Sequence, residues 1–528
     1  MKSLINKINK YRNLLIYILF LFSAYCAVTV GQSWDEGFHI IQGKIILNYL
    51  LSFGNIDKEL LYRENYSSLY WSLSYLLTKI FPLEFEIQAS HIINSSFAFA
   101  CIFGFGKLNK EIFNKNIGKI VFVILFFYPI FFGHMAINSK DTILAFSHVW
   151  ITYYIIRYLK NLTVKKKTNR FIFIISLLAA MATGIQMVYL GSLIPIFIFA
   201  VLDIFYLKIF VQKRVSLKKL FFDLIKFFVI FYLILILFWI DTYDNILILP
   251  LQFLIETFST DYWTGWPFNL LNGDYYYSSA VPKTYLLTSF FYKSPEYIIF
   301  LYIVFLILLF VKNKLLNNDF KSFNIKISLF LIILLFPNLI LFILPYPIYD
   351  GVRLFIWIIP YICTIPAISL YVLFKEYDYN YSKIISPICI ILIVIYLFNF
   401  FKLTPYQYIY TNSLDGKKIE KYKKFEKDYW GISLKELINK SNFDKDEKIL
   451  LATCGVNTSV VEKYMKQKYN RFLIVEKNKA NYVIMTNRAI ENNDNSEKEI
   501  TNCFDYFEGV DTYSVIRNKQ ILSIIRKI

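Results

Sequence analysis

A succession of apolar runs, each about as long as a bilayer is thick, constrains this chain more than any other feature. Eleven runs fall near residues 14–30, 88–105, 119–133, 142–159, 171–187, 190–209, 220–240, 295–311, 326–344, 353–374 and 384–401. Each approaches the roughly 20 residues a spanning helix needs. The runs 171–187 and 190–209 are joined by almost nothing, so they form a tight hairpin or a broken helix. With 57% hydrophobic and 19% aromatic residues, the sequence carries far more apolar surface than a soluble domain uses. The expected fold is a polytopic α-helical membrane protein over 1–401, followed by a small α/β domain over 402–528.

Charge sets the expected orientation. If the N-terminus is cytoplasmic, the inside loops are 1–13, 106–119, 157–170, 207–226, 312–326 and 375–383, with 26 Lys and Arg. The outside loops 31–87, 133–141, 241–294 and 345–353 hold only 8, against 14 acids, although they are longer in total. Positive loops stay inside, so the N-terminus is expected in the cytoplasm and 402–528 outside a plasma membrane. The net charge of +19 therefore orients helices and does not mark a nucleic-acid binder. Lys2, Lys7, Lys10 and Arg12 precede the first run, as in a signal peptide, but no small-residue cleavage site follows it.

The long outside loops are rich in aromatics: Trp34, Tyr62, Tyr66, Tyr70 and Trp71, then Tyr262, Trp263, Trp266 and Tyr275 to Tyr277. Such residues favour the headgroup zone. His39-Ile40-Ile41 and Ile45-Ile46-Leu47 recur at helical spacing, which predicts an amphipathic helix on the outer membrane surface. Within 402–528, the segments 448–454, 471–476 and 482–486 read as strands and 460–468 as a helix. Residues 513–516 and 520–525 flank a hairpin turn, and 492–498 is a polar loop. Of six scattered cysteines, Cys454 and Cys503 share this region; an extracytoplasmic location would allow them to pair, but spacing alone does not show that they do, and there is no CxxC to suggest a metal site.

Ionisable residues at the membrane boundary are costly and need a reason. Asp35, Glu36 and His39 follow the first run directly. His134, Lys140 and Asp141 lie in 133–141, and Tyr349, Asp350 and Arg353 begin the tenth run. Only Arg63 and Arg353 are arginines in the outside loops of a lysine-rich chain. An arginine fork suits a phosphate, whereas the plain alternative is a snorkelling anchor. If the substrate is a sugar on a prenyl phosphate, the leaving group is already good. One carboxylate to deprotonate the acceptor and one cation to hold the phosphate then suffice. Asp35 and Arg353 fill those roles, with Lys140 as a second cation.

Glu36 orients Asp35 or faces water. Asp141 positions the acceptor or caps its helix. His39, His134, Tyr349 and Asp350 are expected to contact substrate. No cofactor is expected. A divalent metal on Asp35, Glu36, His39, His134 and Asp141 is not favoured, for want of a diagnostic spacing. His91 and His148 lie in apolar helices as satisfied polar groups.

At these residues the chain resembles the GT-C superfamily of polyprenyl-phosphate-sugar-dependent glycosyltransferases. Protein O-mannosyltransferases resemble it most, aminoarabinose transferases more distantly. Trp34-Asp35-Glu36-Gly37-Phe38-His39 is similar to the first-loop Asp-Glu motif of that branch. Asn138-Ser139-Lys140-Asp141 is similar to its second acidic site, and Tyr349-Asp350-Gly351-Val352-Arg353 to its phosphate-binding segment. The resemblance implies a membrane glycosyltransferase using a polyprenyl-phosphate sugar from the membrane lipid; direct displacement by the acceptor is expected to invert the anomeric centre. The acceptor, whether protein, lipid or glycan, is not implied. The chain lacks a MIR-like domain between spans seven and eight and a His-Pro-Trp motif in 241–294, and has Gln186 where a cation is expected. A transporter or flippase for a lipid-linked saccharide would use the same groups. It would place them at mid-membrane, between internal repeats that this sequence lacks.

Overall fold

The structure is a computed structural model that describes residues 12–55, 66–211, 215–257, 265–311, 313–343, 346–377, 379–443, 448–492 and 499–528. Tyr62, Arg63, Tyr262, Trp263 and most of the polar 492–498 loop lie outside the described residues.

Seven described helices are long and apolar enough to cross a membrane. They are Leu83–Ile112, Lys165–Ile185, Tyr189–Leu207, Leu217–Leu237, Phe323–Ile343, Arg353–Lys375 and Asn380–Lys402. The pair Tyr285–Lys293 and Glu296–Phe310 is bent by 111° at its break, a broken span that would make eight or a re-entrant loop. Among the described residues, three of the eleven expected runs fall outside this measure of length and apolarity. The first is the shorter apolar helix Asn13–Thr29. The third breaks between Lys115–Phe126 and Pro129–His134, because Pro129 cannot continue a helix and starts a new one. The fourth, Asp141–Lys160, carries Ser147, His148, Thr152 and Arg157 among its apolar residues. At 171–209 the chain forms two helices: Gln186 is extended and ends Lys165–Ile185.

The helices differ in what they face. Arg353–Lys375 is buried along 89% of its apolar window and forms the centre of the bundle. Leu217–Leu237 and Asn380–Lys402 are only 22% buried and present apolar rows outward, as a lipid-facing helix must.

The loops gather in two sets. Lys160 and Arg157 meet Glu111 at 2.9 and 3.5 Å, and Lys375 meets Asp319 at 2.5 Å. These residues belong to the basic loops. At the other end His39 meets Ser139, Arg353 meets Asp35, and the Asn269 amide donates to the Ile348 carbonyl. Asp141–Lys160 and Arg353–Lys375 each run from the second set to the first.

The C-terminal region carries a five-stranded sheet in the order β4-β3-β5-β9-β8. Its strands are β3 (Ile449–Cys454), β4 (Phe472–Ile474), β5 (Tyr482–Thr486), β8 (Val510–Arg517) and β9 (Gln520–Lys527). β4 and β5 flank β3 in parallel, with the helix Thr458–Lys468 as the crossover from β3 to β4. β9 runs antiparallel between β5 and β8. Asn518 and Lys519, with φ of 48° and 65°, turn the β8–β9 hairpin in the primed geometry that matches strand twist. Two short antiparallel pairs accompany it: β1 (Phe268–Leu271) with β2 (Asp274–Tyr277), and β6 (Ala489–Asn492) with β7 (Glu499–Asn502). Cys454 and Cys503 are joined by a disulfide.

This region seats directly on the second set of loops. A Cβ on Gly133 would stand 2.2 Å from the backbone nitrogen of Tyr408, so only glycine permits that approach. The Gly31 N–H donates to the Ile432 carbonyl, the Asn457 amide to the Trp34 carbonyl, and Lys463 to the Gln32 side chain. The loop carrying Asp35 is thereby held from above by the C-terminal region.

Candidate active site

Asp35 immediately precedes the helix Glu36–Leu51, Asp141 opens the helix Asp141–Lys160, and Asp350 and Arg353 enter the central helix. The fold brings these together around one guanidinium. Arg353 donates from Nη2 to Asp35 Oδ2 at 2.7 Å, from Nη1 to Asp350 Oδ2 at 2.7 Å, and from Nε to Asp141 Oδ2 at 3.3 Å. The Arg353, Asp141 and Asp350 side chains are 6%, 1% and 0% exposed, whereas Asp35 is 33% exposed. Asp35 is thus the one carboxylate of the cluster that reaches open space.

The backbone around Asp350 is unusual. Asp350 and Gly351 have φ of 59° and 66°, a left-handed conformation that few non-glycine residues adopt. The Gly351 N–H donates to the Tyr285 hydroxyl at 2.9 Å, and a Cβ on Gly351 would fall 2.4 Å from Lys293 Nζ. A tight left-handed turn packed against a lysine fixes where Asp350 and Arg353 point.

Lys140 approaches from the Asp141 side and donates to the Tyr66 hydroxyl at 3.2 Å. Asn138 secures the corner: its amide donates to Asp141 Oδ2 and its carbonyl accepts the Asp141 N–H. Asp141 does not cap its own helix. Its Oδ1 is buried and has no hydrogen-bond partner among the described residues.

Charge distribution follows from these contacts. Burial alone would raise the Asp35 carboxyl, but the Arg353 guanidinium and Lys140 pull it below the ordinary range, so Asp35 is a carboxylate. Burial lowers Lys140, yet Tyr66, Tyr349 and Asp141 raise it further, so it stays cationic. His39 is driven down to about 3, mainly by burial, and is neutral. Its ring stacks on Trp71 at 4.3 Å, and Nδ1 bonds the Ser139 hydroxyl at 2.8 Å.

Other expected site residues have different surroundings. Glu36 is buried with both carboxylate oxygens 2.9 Å from His91 Nε2, while its Oε2 also accepts the Ser33 N–H. Glu36 therefore braces the loop from the bundle side. His134 is wholly buried, with Nδ1 on the Ile130 carbonyl and Nε2 on the Tyr429 hydroxyl; its ring is spent on holding the C-terminal region. Tyr349 lies 5.5 Å from the Arg353 guanidinium. His148 bonds the Tyr361 hydroxyl and the Ser192 carbonyl inside the bundle.

The sequence reading missed the contribution of the C-terminal region. Trp430 covers the Arg353 guanidinium at 4.3 Å. Arg488 donates to Asp350 Oδ1 at 3.0 Å and lies over Trp266 at 4.2 Å and Trp34 at 5.4 Å. Glu426, buried beside Arg488 and Asp350, is pushed up to about 7 by burial. Arginine rarity does not single out Arg488, because Arg471, Arg517 and Arg526 lie in the same region.

Among the described residues, no three His, Cys, Asp or Glu side chains are placed to hold a metal ion. The arrangement sets a carboxylate that is 33% exposed beside a buried guanidinium and a lysine, with the rings of Tyr66, Tyr349 and Trp430 against the two cations. It can take up a proton at Asp35 and bind an anion at Arg353 and Lys140.

No protein-family model matches the sequence, and no curated protein does. Solved structures are similar at low identity. ArnT from Cupriavidus metallidurans bound to undecaprenyl phosphate aligns over 98% of both chains, at 8% identity and a TM-score of 0.48. The same protein in the apo state aligns equally far, at 9% identity and 0.48. The oligosaccharyltransferase of Archaeoglobus fulgidus aligns over 89% of this chain and 69% of its own, at 11% identity and 0.45.

Proposed function

We propose that this chain is an integral membrane glycosyltransferase that moves a sugar from a polyprenyl-phosphate donor to an extracytoplasmic acceptor, with inversion. The observation that carries this reading is the Arg353 cluster, in which one buried arginine serves three carboxylates and only Asp35 among them is substantially exposed.

A donor phosphate arriving beside Asp35 meets Arg353 Nη2, because the contacts to Asp141 and Asp350 are enclosed. It takes the place of Asp35. The carboxylate then loses the closest cation that holds its proton affinity down, and becomes a better base when a base is needed. Asp35 takes the proton of the acceptor hydroxyl, whose oxygen bonds the anomeric carbon as the carbon–phosphate oxygen bond breaks. The polyprenyl phosphate leaves with the electron pair, held by Arg353 and Lys140. His39 and Tyr349 border the cluster, and Asp350 holds Arg353.

In this reading residues 1–401 form the membrane unit and 402–528 an extracytoplasmic domain. The excess of lysine and arginine in one set of loops supports that orientation, as does the disulfide, which suits an oxidising compartment. A reporter active only outside the cytoplasm, fused after Ile528, should be active; activity of a cytoplasmic reporter there would invert the topology.

The experiment for function supplies purified protein with radiolabelled polyprenyl-phosphate sugars and, separately, nucleotide sugars. Transfer is expected from the lipid-linked donors alone. Transfer from a nucleotide sugar without added lipid carrier would overturn the donor class, and a product of retained configuration would remove the single displacement.

A further inference from the structure

Arg488 sits just past β5, in the link to β6, and is 3% exposed. It and Arg353 grip opposite oxygens of one carboxylate. Arg488 Nη2 lies 3.0 Å from Asp350 Oδ1, across 138 residues of sequence, and Arg353 Nη1 lies 2.7 Å from Oδ2. The Arg488 guanidinium is fixed in its turn. It lies over Trp266 and Trp34, and Nη1 donates to the Tyr429 carbonyl. Its own turn is pinned where the Ala489 N–H donates to Glu426 at 2.9 Å. Its Nε is a buried donor with no partner among the described residues, so the side chain is not placed to satisfy itself.

We propose that Arg488 is a positioning residue for donor binding: by holding Asp350 from the far side it sets the direction of the Arg353 fork. The inference rests on Arg353 being the donor-phosphate ligand. A carboxylate gripped at one oxygen by Arg488 offers only the other to Arg353, from the side. Freed of Arg488, Asp350 turns both oxygens onto Arg353 and draws the guanidinium into a bidentate pair. The Nη2 donor then leaves the direction in which Asp35, and later a phosphate, meets it. The left-handed turn at Asp350 and Gly351 keeps the backbone still, so the side-chain direction is what Arg488 decides. The C-terminal region is thus a working wall of the site, and its seating on the bundle controls how well a phosphate is held.

The test compares Arg488→Ala and Arg488→Lys with the wild type in two measurements. One is donor KM and kcat with a polyprenyl-phosphate sugar. The other is affinity for a polyprenyl monophosphate, read from equilibrium binding of the radiolabelled lipid to purified protein. Donor KM and monophosphate Kd should rise about 10- to 100-fold in Arg488→Ala, the scale of one charge-assisted contact. Arg488→Lys should recover only part of this, because it keeps the charge without the fork, and its kcat at saturating donor should stay near wild type. Wild-type KM and Kd in both variants, or a fall confined to kcat or to yield of folded protein, would overturn the inference. If Arg488→Ala does not fold, Arg488→Lys decides alone. A wild type that binds the monophosphate but transfers nothing would defeat the functional reading and still leave Arg488 to be judged by Kd. A wild type that neither binds nor transfers defeats both.

Discussion

The two ends of the bundle both carry ion pairs, but of opposite kinds. At the basic-loop end Lys375 pairs with Asp319 while 44% exposed, and Arg157 pairs with Glu111 while 36% exposed. At the other end Arg353, Asp141, Asp350 and Arg488 are each 6% exposed or less. Exposed pairs contribute about 1 kcal/mol or less and vanish with salt. Buried ones cost more desolvation than they return, unless every partner is present. The first end therefore orients and solubilises. The second maintains charge where charge is expensive, which is the behaviour of a binding or catalytic centre.

The contrast breaks if removing one charge at each end has the same effect. Arg353→Ala should lower stability by roughly 3–5 kcal/mol, because Asp141 stays buried without its guanidinium partner and Asp350 keeps only Arg488. Thermal unfolding in detergent measures it. Arg353→Lys should fold, yet lose about 10- to 100-fold in use of a lipid-phosphate donor. Full activity with lysine would make Arg353 a generic charge.

A smaller effect is expected from acid. Burial drives both His39 and His134 down to about 3, so both are neutral in the native state. The unfolded chain takes up these protons below about pH 6.5, and the native one does not. Stability held above that pH is thus lost as pH falls towards 3, by at most about 1.4 kcal/mol per unit for each histidine. Glu426 and Asp428 act in the opposite sense, because burial raises them to about 7 and about 6. The thermal midpoint of His134→Gln should decline less steeply between pH 6 and 4 than that of the wild type; an equal slope would place the sensitivity elsewhere. The smallest effect belongs to Lys375→Ala, expected to change stability by about 1 kcal/mol or less. A change as large as that of Arg353→Ala would erase the difference between the ends.

Much of this was legible in the sequence, for specific reasons. Long apolar runs write themselves, and so does the division of Lys and Arg between loops. Both survive into the two gathered sets of loops. The third run is already short in the sequence, and Pro129 and the polar side chains of Asp141–Lys160 can be read there too. Asp35 and Arg353 stood out because each is ionisable at a membrane boundary. Arg488 and Trp430 did not, because no local pattern tells which turn of a distant sheet will face the bundle. The partnership of Glu36 with His91 was hidden likewise, since it joins a loop to a helix through tertiary packing alone.

The central claim is that Asp35 is the base of a transfer whose donor phosphate Arg353 holds. Its most direct test is Asp35→Asn, which keeps size and removes only the proton acceptor. Transfer from a polyprenyl-phosphate sugar should fall by about 10²- to 10⁴-fold, while the variant folds normally and binds polyprenyl monophosphate at least as well as the wild type. Near-wild-type turnover by Asp35→Asn would contradict the account and move the base to another carboxylate.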